Sequence, residues 1–146
     1  LFPANPEDAF YLSATAFDLA DRFQTPVFVA TDLDIGMNDW MVKRLQWDDT
    51  RTWDRGKVLN AQDLEKVKSF SRYLDVDGDG IAARTLPGVS GKGAYFVRGS
   101  GHNKHGAHTE DSNEYQEVLD RLALKLRTAA NTVPAPMPMP TRGTSP

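Results

Sequence analysis

The chain has 146 residues, of which 40% are hydrophobic and 25% charged, and its net charge at pH 7 is −3. Such a length supports one domain with its own core, and the small negative charge gives no basis for binding nucleic acid or an anionic membrane. No apolar run reaches the roughly 18 residues that span a bilayer. The chain has no cysteine, which excludes thiolate-held iron–sulfur clusters, disulfides and a thiol nucleophile within it.

A helix start stands almost at the beginning of the chain. In the run Asn5-Pro6-Glu7-Asp8, asparagine caps free backbone N–H groups, proline suits the first helical position, and the acidic residues suit the positive end of the helix dipole. We expect this helix to end near Gln24, because Pro26 disfavours the α conformation before it. Since a helix start follows Leu1 so closely, we also expect the chain to be a segment of a longer protein.

Two more helices are predicted further along. One begins after Asn60 and continues over residues 61–74, with apolar residues along one side. The other covers residues 112–130, where the spacing of Asp111 and Glu114 is that of a capping box. Its apolar residues recur at helical intervals, which is the clearest amphipathic pattern in the chain.

Two short apolar runs, residues 27–30 and 94–97, predict strands. The continuous run Val-Phe-Val-Ala is typical of a strand covered on both faces in a parallel sheet. The prolines at alternate positions after residue 131 favour an extended linker or tail. The predicted fold class is therefore α/β, a partial parallel-sheet segment with three main helices, long irregular loops and a Pro-rich tail.

The run DVDGDG is similar to the start of a calcium-binding loop. Asp75, Asp77 and Asp79 stand at loop positions 1, 3 and 5, and Gly80 stands at position 6. Position 12, which should be a bidentate glutamate, is Leu86. A metal site at these three aspartates is therefore an alternative hypothesis. The Gly-Asp-Gly within this run also resembles the start of a thiamine diphosphate motif, but the Asn-Asn that ends such a motif is missing.

Candidate pocket or interface residues follow the two predicted strands. Asp32, Asp34 and Asn38 come after the first strand, and ligands in open α/β sheets usually bind at that end of a strand. His102 and Asn103 lie in the glycine-rich loop after the second strand. Acidic residues at a strand end are also common as turn formers and helix caps, so both interpretations stay open.

His102, His105 and His108 are spaced by three residues. Imidazole side chains with nearby carboxylates can form a zinc site. The glycines between them indicate a flexible loop rather than a rigid helical face, so this pattern is a weak zinc signal.

Three stretches together resemble one family. They are AFDLADRFQTPVFVATDLDIGMNDW (16–40), YLDVDGDGIAARTLPG (73–88) and GAYFVRGSGHNKHGAHTEDSNEYQEVLDRL (93–122). They are similar to the α subunit of 2-oxoacid:ferredoxin oxidoreductases, particularly the 2-oxoglutarate type, and the resemblance covers roughly residues 3–130. It implies that residues 1–40 end a pyrimidine-binding α/β domain, that residues 41–130 complete this domain and a connector with two helices, and that residues 131–146 form a linker or tail.

The resemblance also implies a reaction. These enzymes oxidatively decarboxylate a 2-oxoacid on thiamine diphosphate with magnesium, pass electrons through iron–sulfur clusters to ferredoxin, and release an acyl-coenzyme A. The cofactors would be held mostly outside this segment, with the β subunit as partner and ferredoxin and coenzyme A binding the complex in the cytoplasm. The resemblance places no catalytic residue in this chain, and we expect the segment alone to be inactive. The alternative is a non-enzymatic calcium-binding or interaction module that uses residues 75–80.

Overall fold

The computed structural model describes residues 1–97 and 99–137. In these ranges the chain forms helices α1 (Pro6–Phe23), α2 (Leu33–Met37), α3 (Ala61–Lys66) and α4 (Ser112–Ala130), and a 3-10 turn at Gly91–Gly93. The described residues form no β-strand, and two isolated bridges join Val58 to Arg84 in parallel and His102 to His108 in antiparallel orientation. The described part is therefore helix-rich with little β structure. None of its helices is both long and apolar enough to cross a bilayer.

The two long helices confirm their sequence predictions, because local caps set their ends. Asn5 accepts a hydrogen bond from the N–H of Asp8 at 2.9 Å, and α1 ends before Gln24, which adopts the left-handed conformation at φ +49°. Asp111 caps α4 by accepting from the N–H of Glu114 at 3.0 Å. The capping box there is only half formed, since the N–H of Asp111 donates to Thr109 Oγ1.

The helix predicted over residues 61–74 is too long. It begins as predicted, with a complete capping box between Asn60 and Asp63, but it ends at Lys66. The chain then turns, so that Arg72 donates to Gln24 at 2.9 Å and the Tyr73 ring lies 4.1 Å from the His102 ring. These distant contacts outweigh the local helix preference of the segment.

Neither predicted strand belongs to a sheet in the described residues. Residues 27–30 are nevertheless hydrogen-bonded to the beginning of the chain. The N-terminal ammonium of Leu1 donates to Phe28 O at 2.6 Å, and the N–H of Ala30 donates to Leu1 O at 2.9 Å. This is the hydrogen-bond pattern of a single parallel pair. Without further strands beside it, one pair is too small to form a stable sheet.

The core is small and lies where α1 meets the acidic loop. Leu19 and Phe23 of α1 pack against Ile81, with Leu1 and Ala129 at the margin. Other fully or nearly buried apolar side chains are Ala14, Leu64, Ala82 and Val118. The segment just before Ile81 is hydrogen-bonded to α4, since Thr128 Oγ1 donates to Asp79 O at 2.7 Å and Arg121 Nη1 donates to Gly80 O at 2.8 Å.

Candidate functional site

The acidic loop, residues 75–80, brings its three aspartates together. Carboxylate oxygens of Asp75, Asp77 and Asp79 all lie within 4.8 Å of one another. Lys57 reaches this cluster from another part of the chain. Its ammonium donates to Asp77 at 2.6 and 2.8 Å, to Asp79 at 2.7 Å and to Ile81 O at 3.0 Å. A side-chain cation therefore lies among the carboxylates to which a metal ion would bind.

Backbone groups shape the same loop. Asp75 accepts hydrogen bonds from the N–H groups of Gly78 and Gly80 at 2.9 and 2.8 Å, so both of its carboxylate oxygens are in use. Asp79 Oδ1 accepts from the N–H of Ile81 at 2.8 Å. Gly78 and Gly80 have φ of +77° and +81°, which glycine adopts without steric cost. The loop is thus closed by its own backbone.

Electrostatics favours the charged lysine in this position. Desolvation lowers the pKa of Lys57, but hydrogen bonds to Asp77 and Asp79 and their negative charges outweigh it, and the net effect raises that pKa. The stabilisation from this ammonium is fully present below the ordinary lysine pKa and is lost only as pH rises through the higher folded-state value. The ion pairs of Lys57 with Asp77 and Asp79 therefore persist throughout the neutral pH range, and a metal ion would have to displace the lysine ammonium.

Replacing Lys57 with methionine is expected to change both stability and metal binding. The carboxylates of Asp77 and Asp79 would lose their counter-ion, which we expect to cost about 1–3 kcal/mol. Calcium should restore part of this loss, with a dissociation constant of about 10⁻⁴–10⁻³ M because no bidentate glutamate closes the loop. Urea denaturation and calorimetry, each with and without calcium, measure the two effects.

The matched control is Lys66→Met. Lys66 is an exposed lysine of α3 whose Nζ lies 3.5 Å from Asp63, so its loss should change stability by less than about 0.5 kcal/mol and should create no calcium response. Tight calcium binding by the unaltered chain would contradict the displacement argument. So would a Lys57→Met variant that binds no more calcium than the control.

Of the residues predicted at the first strand end, Asp32 and Asn38 cap the short helix α2 and Asp34 lies within it. Asp32 accepts a hydrogen bond from the N–H of Ile35 at 2.9 Å, and Asp34 accepts one from the Asn38 side chain. The backbone oxygen of Asp34 also accepts from Trp40 Nε1 at 2.8 Å. Asp32, Asp34 and Asn38 are exposed. Their observed contacts are those of helix caps and turn formers.

The glycine-rich loop uses its candidates differently. Asn103 organises the loop, because its Oδ1 accepts from the N–H groups of His105 and Ala107 at 3.0 and 3.2 Å. The His102 ring stacks on Tyr73, with an angle of 18° between the ring planes. No hydrogen bond in the described residues joins these two candidates to those around α2.

The histidines have separate partners. His105 pairs with Ser71 at 3.0 Å, whereas the Nδ1 atoms of His102 and His108 donate to the carbonyls of Asn103 and Gly101. Within the described ranges, the three aspartates of the acidic loop are the single group of three or more acidic or histidine side chains close enough to share a metal ion. The weak zinc signal of the sequence therefore has no counterpart in the described residues.

The structure also assembles a group of cations that sequence reasoning missed. Arg72, Arg121 and Lys125 line one cavity of about 140 Å³ together with Tyr73 and His102. Desolvation lowers the pKa of Lys125, and the charges of Arg121 and Arg72 lower it further. Arg72 lies far from the other two residues in the chain, and the spacing of Arg121 and Lys125 on α4 is common on solvated helix faces. Lys57 was missed for a similar reason, since it is 20 residues from Asp77.

Models of known protein families were compared with the chain, and none matches it.

Proposed function

We propose that the chain is part of the α subunit of a thiamine diphosphate-dependent 2-oxoacid:ferredoxin oxidoreductase, acting in the cytoplasm on 2-oxoglutarate or a related 2-oxoacid. The resemblance of residues 16–40, 73–88 and 93–122 supports this proposal. In it, thiamine diphosphate with magnesium and the iron–sulfur clusters are held mostly by the β subunit and the rest of the α subunit. The described segment contributes scaffold and interface to the shared enzyme.

The observation that carries the proposal is the amount of surface left exposed. The chain exposes 11,079 Å², whereas a compact monomer of 16.2 kDa exposes about 7,400 Å². Even with all ten residues outside the described ranges fully exposed, which accounts for at most about 1,600 Å², about 2,000 Å² of excess remains. Permanent complexes bury about 2,000–5,000 Å² at their interfaces. This excess supports a chain that folds against other protein surfaces.

Several aromatic side chains are exposed around residues 40–59 and on α1. Phe10 and Phe17 of α1 contact Trp47 and Trp53 with ring-centroid distances of 5.8 and 6.3 Å, and the two tryptophans lie 6.0 Å apart. Phe17 remains 70% exposed, and both tryptophans are more than 40% exposed. Aromatic residues are enriched in the buried centres of protein interfaces. This aromatic strip supports an interface role for the region between residues 40 and 59.

The single parallel pair supports the finer part of the proposal, a partial parallel sheet. Phe28 O and Ala30 N point towards Leu1, so the N–H groups of Val27 and Val29 point to the other side. These two N–H groups have no hydrogen-bond partner in the described residues. In the proposed subunit, a neighbouring strand pairs with this free edge and completes a sheet covered by helices.

The deciding experiment uses the full-length α subunit purified with its β partner. With 2-oxoglutarate and coenzyme A, the complex is expected to reduce ferredoxin or methyl viologen and to release an acyl-coenzyme A. Reactions without coenzyme A and reactions with other 2-oxoacids serve as controls. A complex that contains its cofactors but turns over no 2-oxoacid would remove the proposal.

Hydrogen exchange tests the structural part of the proposal separately. The amides of Val27 and Val29 are expected to exchange at least about tenfold more slowly in the αβ complex than in the isolated chain, because a paired strand edge is protected. The amide of Val118, inside α4, should be protected in both samples and is the internal control. Equal exchange of Val27 and Val29 in the two samples would argue against a completed sheet.

The alternative function, a calcium-binding or interaction module, is supported by the carboxylate cluster of the acidic loop. The position of Lys57 weakens the case for this alternative, because the Lys57 ammonium already neutralises carboxylates that would bind calcium. Calorimetry of the unaltered chain separates the two functions. Tight, stoichiometric calcium binding would favour the module, and no binding would favour the enzyme segment.

A further inference from the structure

The cavity beside α4 is lined by an unusual concentration of positive charge. Arg72, Arg121 and Lys125 converge on about 140 Å³ of space, with His102 at the same wall. Lys125 is 8% exposed, and both arginines are half-buried. Burying several like charges together is costly unless an opposite charge compensates them.

None of the three cations forms a salt bridge within the described residues. In the described residues, every nitrogen–carboxylate pair closer than 4 Å involves a different cation. Four other arginines have a carboxylate partner of this kind. These pairs are Arg22 with Asp54, Arg51 with Asp18, and Arg55 and Arg84 with Asp21. The contrast arises inside a chain whose net charge is −3. A shortage of carboxylates therefore does not explain the unpaired cluster.

The existing partners of these cations are neutral. Arg72 donates to the Gln24 side chain at 2.9 Å, Arg121 donates to Gly80 O at 2.8 Å, and Lys125 donates to Gln24 O and Thr25 Oγ1. Both guanidinium groups also lie near the face of the Tyr73 ring, at 5.2 and 6.0 Å. Such contacts use some N–H donors but do not neutralise three charges.

Two further observations indicate that compensation is missing. Arg121 Nε is buried and has no hydrogen-bond partner in the described residues; the same holds for Arg51 Nε and Arg84 Nε, but those two side chains have carboxylate partners and Arg121 has none there. Asp75 is the carboxylate whose charge raises the pKa of Arg121, but desolvation has the larger effect and the net result lowers it. Both oxygens of Asp75 already accept backbone hydrogen bonds.

We propose that this cavity binds a phosphate group through Arg72, Arg121 and Lys125. A phosphate presents several acceptor oxygens and up to two negative charges, which suits two guanidinium groups and an ammonium better than one carboxylate does. The cavity of about 140 Å³ admits a phosphate group, whether free or at the end of a small ester.

The test uses the chain of residues 1–146 and three probes at about 10 mM and constant ionic strength, a concentration at which a binding ligand raises the melting temperature. The probes are inorganic phosphate, glycerol 3-phosphate and succinate, each compared with chloride. Phosphate is expected to raise the melting temperature and to give a calorimetric binding isotherm, and succinate is expected to bind at least about tenfold more weakly. Tighter binding of glycerol 3-phosphate than of free phosphate assigns the site to an ester.

Arg72→Gln is the most direct variant. Apart from lining the cavity, the Arg72 side chain donates one hydrogen bond, to Gln24, so its replacement removes few other interactions. Phosphate affinity should fall about tenfold or more, corresponding to about 1.4 kcal/mol. Arg127→Gln, an exposed arginine on α4, is the matched control and should bind phosphate as the unaltered chain does. Arg72→Lys keeps the charge but not the two-pronged geometry, so its phosphate affinity should lie between those of Arg72→Gln and the unaltered chain. If circular dichroism shows that Arg72→Gln is unfolded, the phosphate affinity of Arg72→Lys tests the site instead.

Three outcomes would overturn the site. They are a phosphate response no larger than that of chloride, an Arg72→Gln variant with unchanged phosphate affinity, and succinate binding as tightly as phosphate. Because these measurements need neither the β subunit nor any 2-oxoacid, their result does not depend on the proposed function.

Discussion

Replacing Gly80 with alanine is expected to destabilise the chain by about 3 kcal/mol or more. Gly80 has φ +81°, and a Cβ there would overlap Lys125 N and lie 2.8 Å from Arg121 O. Both are backbone atoms of α4 that cannot move separately from the helix. The left-handed conformation costs an L-residue about 1–2 kcal/mol, and forcing a methyl group into a packed contact adds about 1–3 kcal/mol.

Gly78→Ala is the matched control for this effect. Gly78 has nearly the same conformation, at φ +77°, but a Cβ there would meet no atom within 4 Å. Gly78→Ala should therefore lower the free energy of unfolding only by the cost of the left-handed conformation, about 1–2 kcal/mol. Urea denaturation measures both variants, and the difference between them isolates the close approach of the acidic loop to α4. Equal losses in the two variants would show that the loop does not pack on α4 as described.

Replacing Leu64 with alanine is expected to cost about 2–5 kcal/mol, because the substitution leaves a cavity in a closed environment. Leu64 of α3 is fully buried. It packs where Gly93 passes so closely that a Cβ on that glycine would lie 2.9 Å from the Leu64 side chain. Thr85 closes the same site by donating to Gly93 O at 2.8 Å. For a chain of this length, such a loss lowers the melting temperature by about 2–4 °C per kcal/mol.

Leu33→Ala provides the comparison for this substitution. Leu33 is also a helical leucine, in α2, but it is 80% exposed, so the same change should alter stability by no more than about 0.5 kcal/mol. Calorimetric melting temperatures of the two variants test the assignment of the core. If the two substitutions cost the same, α3 does not pack on the turn at Gly91–Gly93.

The elements that could be predicted are those whose ends depend on neighbouring residues. Asn5 and Asp111 start α1 and α4, because a side-chain acceptor two or three residues before a free N–H group can act without distant contacts. Asn60 starts α3 for the same reason. The end of α3 was not predictable, since it depends on contacts that Arg72 and Tyr73 make with Gln24 and His102.

For the candidate sites, too, the sequence indicated local groupings but not contacts between distant residues. The spacing of Asp75, Asp77 and Asp79 singled out three carboxylates that lie close together in the structure. It could not indicate that Lys57 fills the cluster, nor that Arg72 joins two cations of α4 around one cavity. The helix caps formed by Asp32 and Asn38 agree with the simpler of the two interpretations that the sequence left open.

By itself, the amino-acid sequence determined the helix starts, the absence of thiol chemistry and the tight turn of the acidic loop, because each depends on residue type or on contacts within a few positions. Only the tertiary structure decided where the charges meet. Lys125 reaches Thr25 across 100 residues, and Lys57 reaches Asp77 across 20. Electrostatic interactions depend on distance in space, and a linear sequence does not contain that distance.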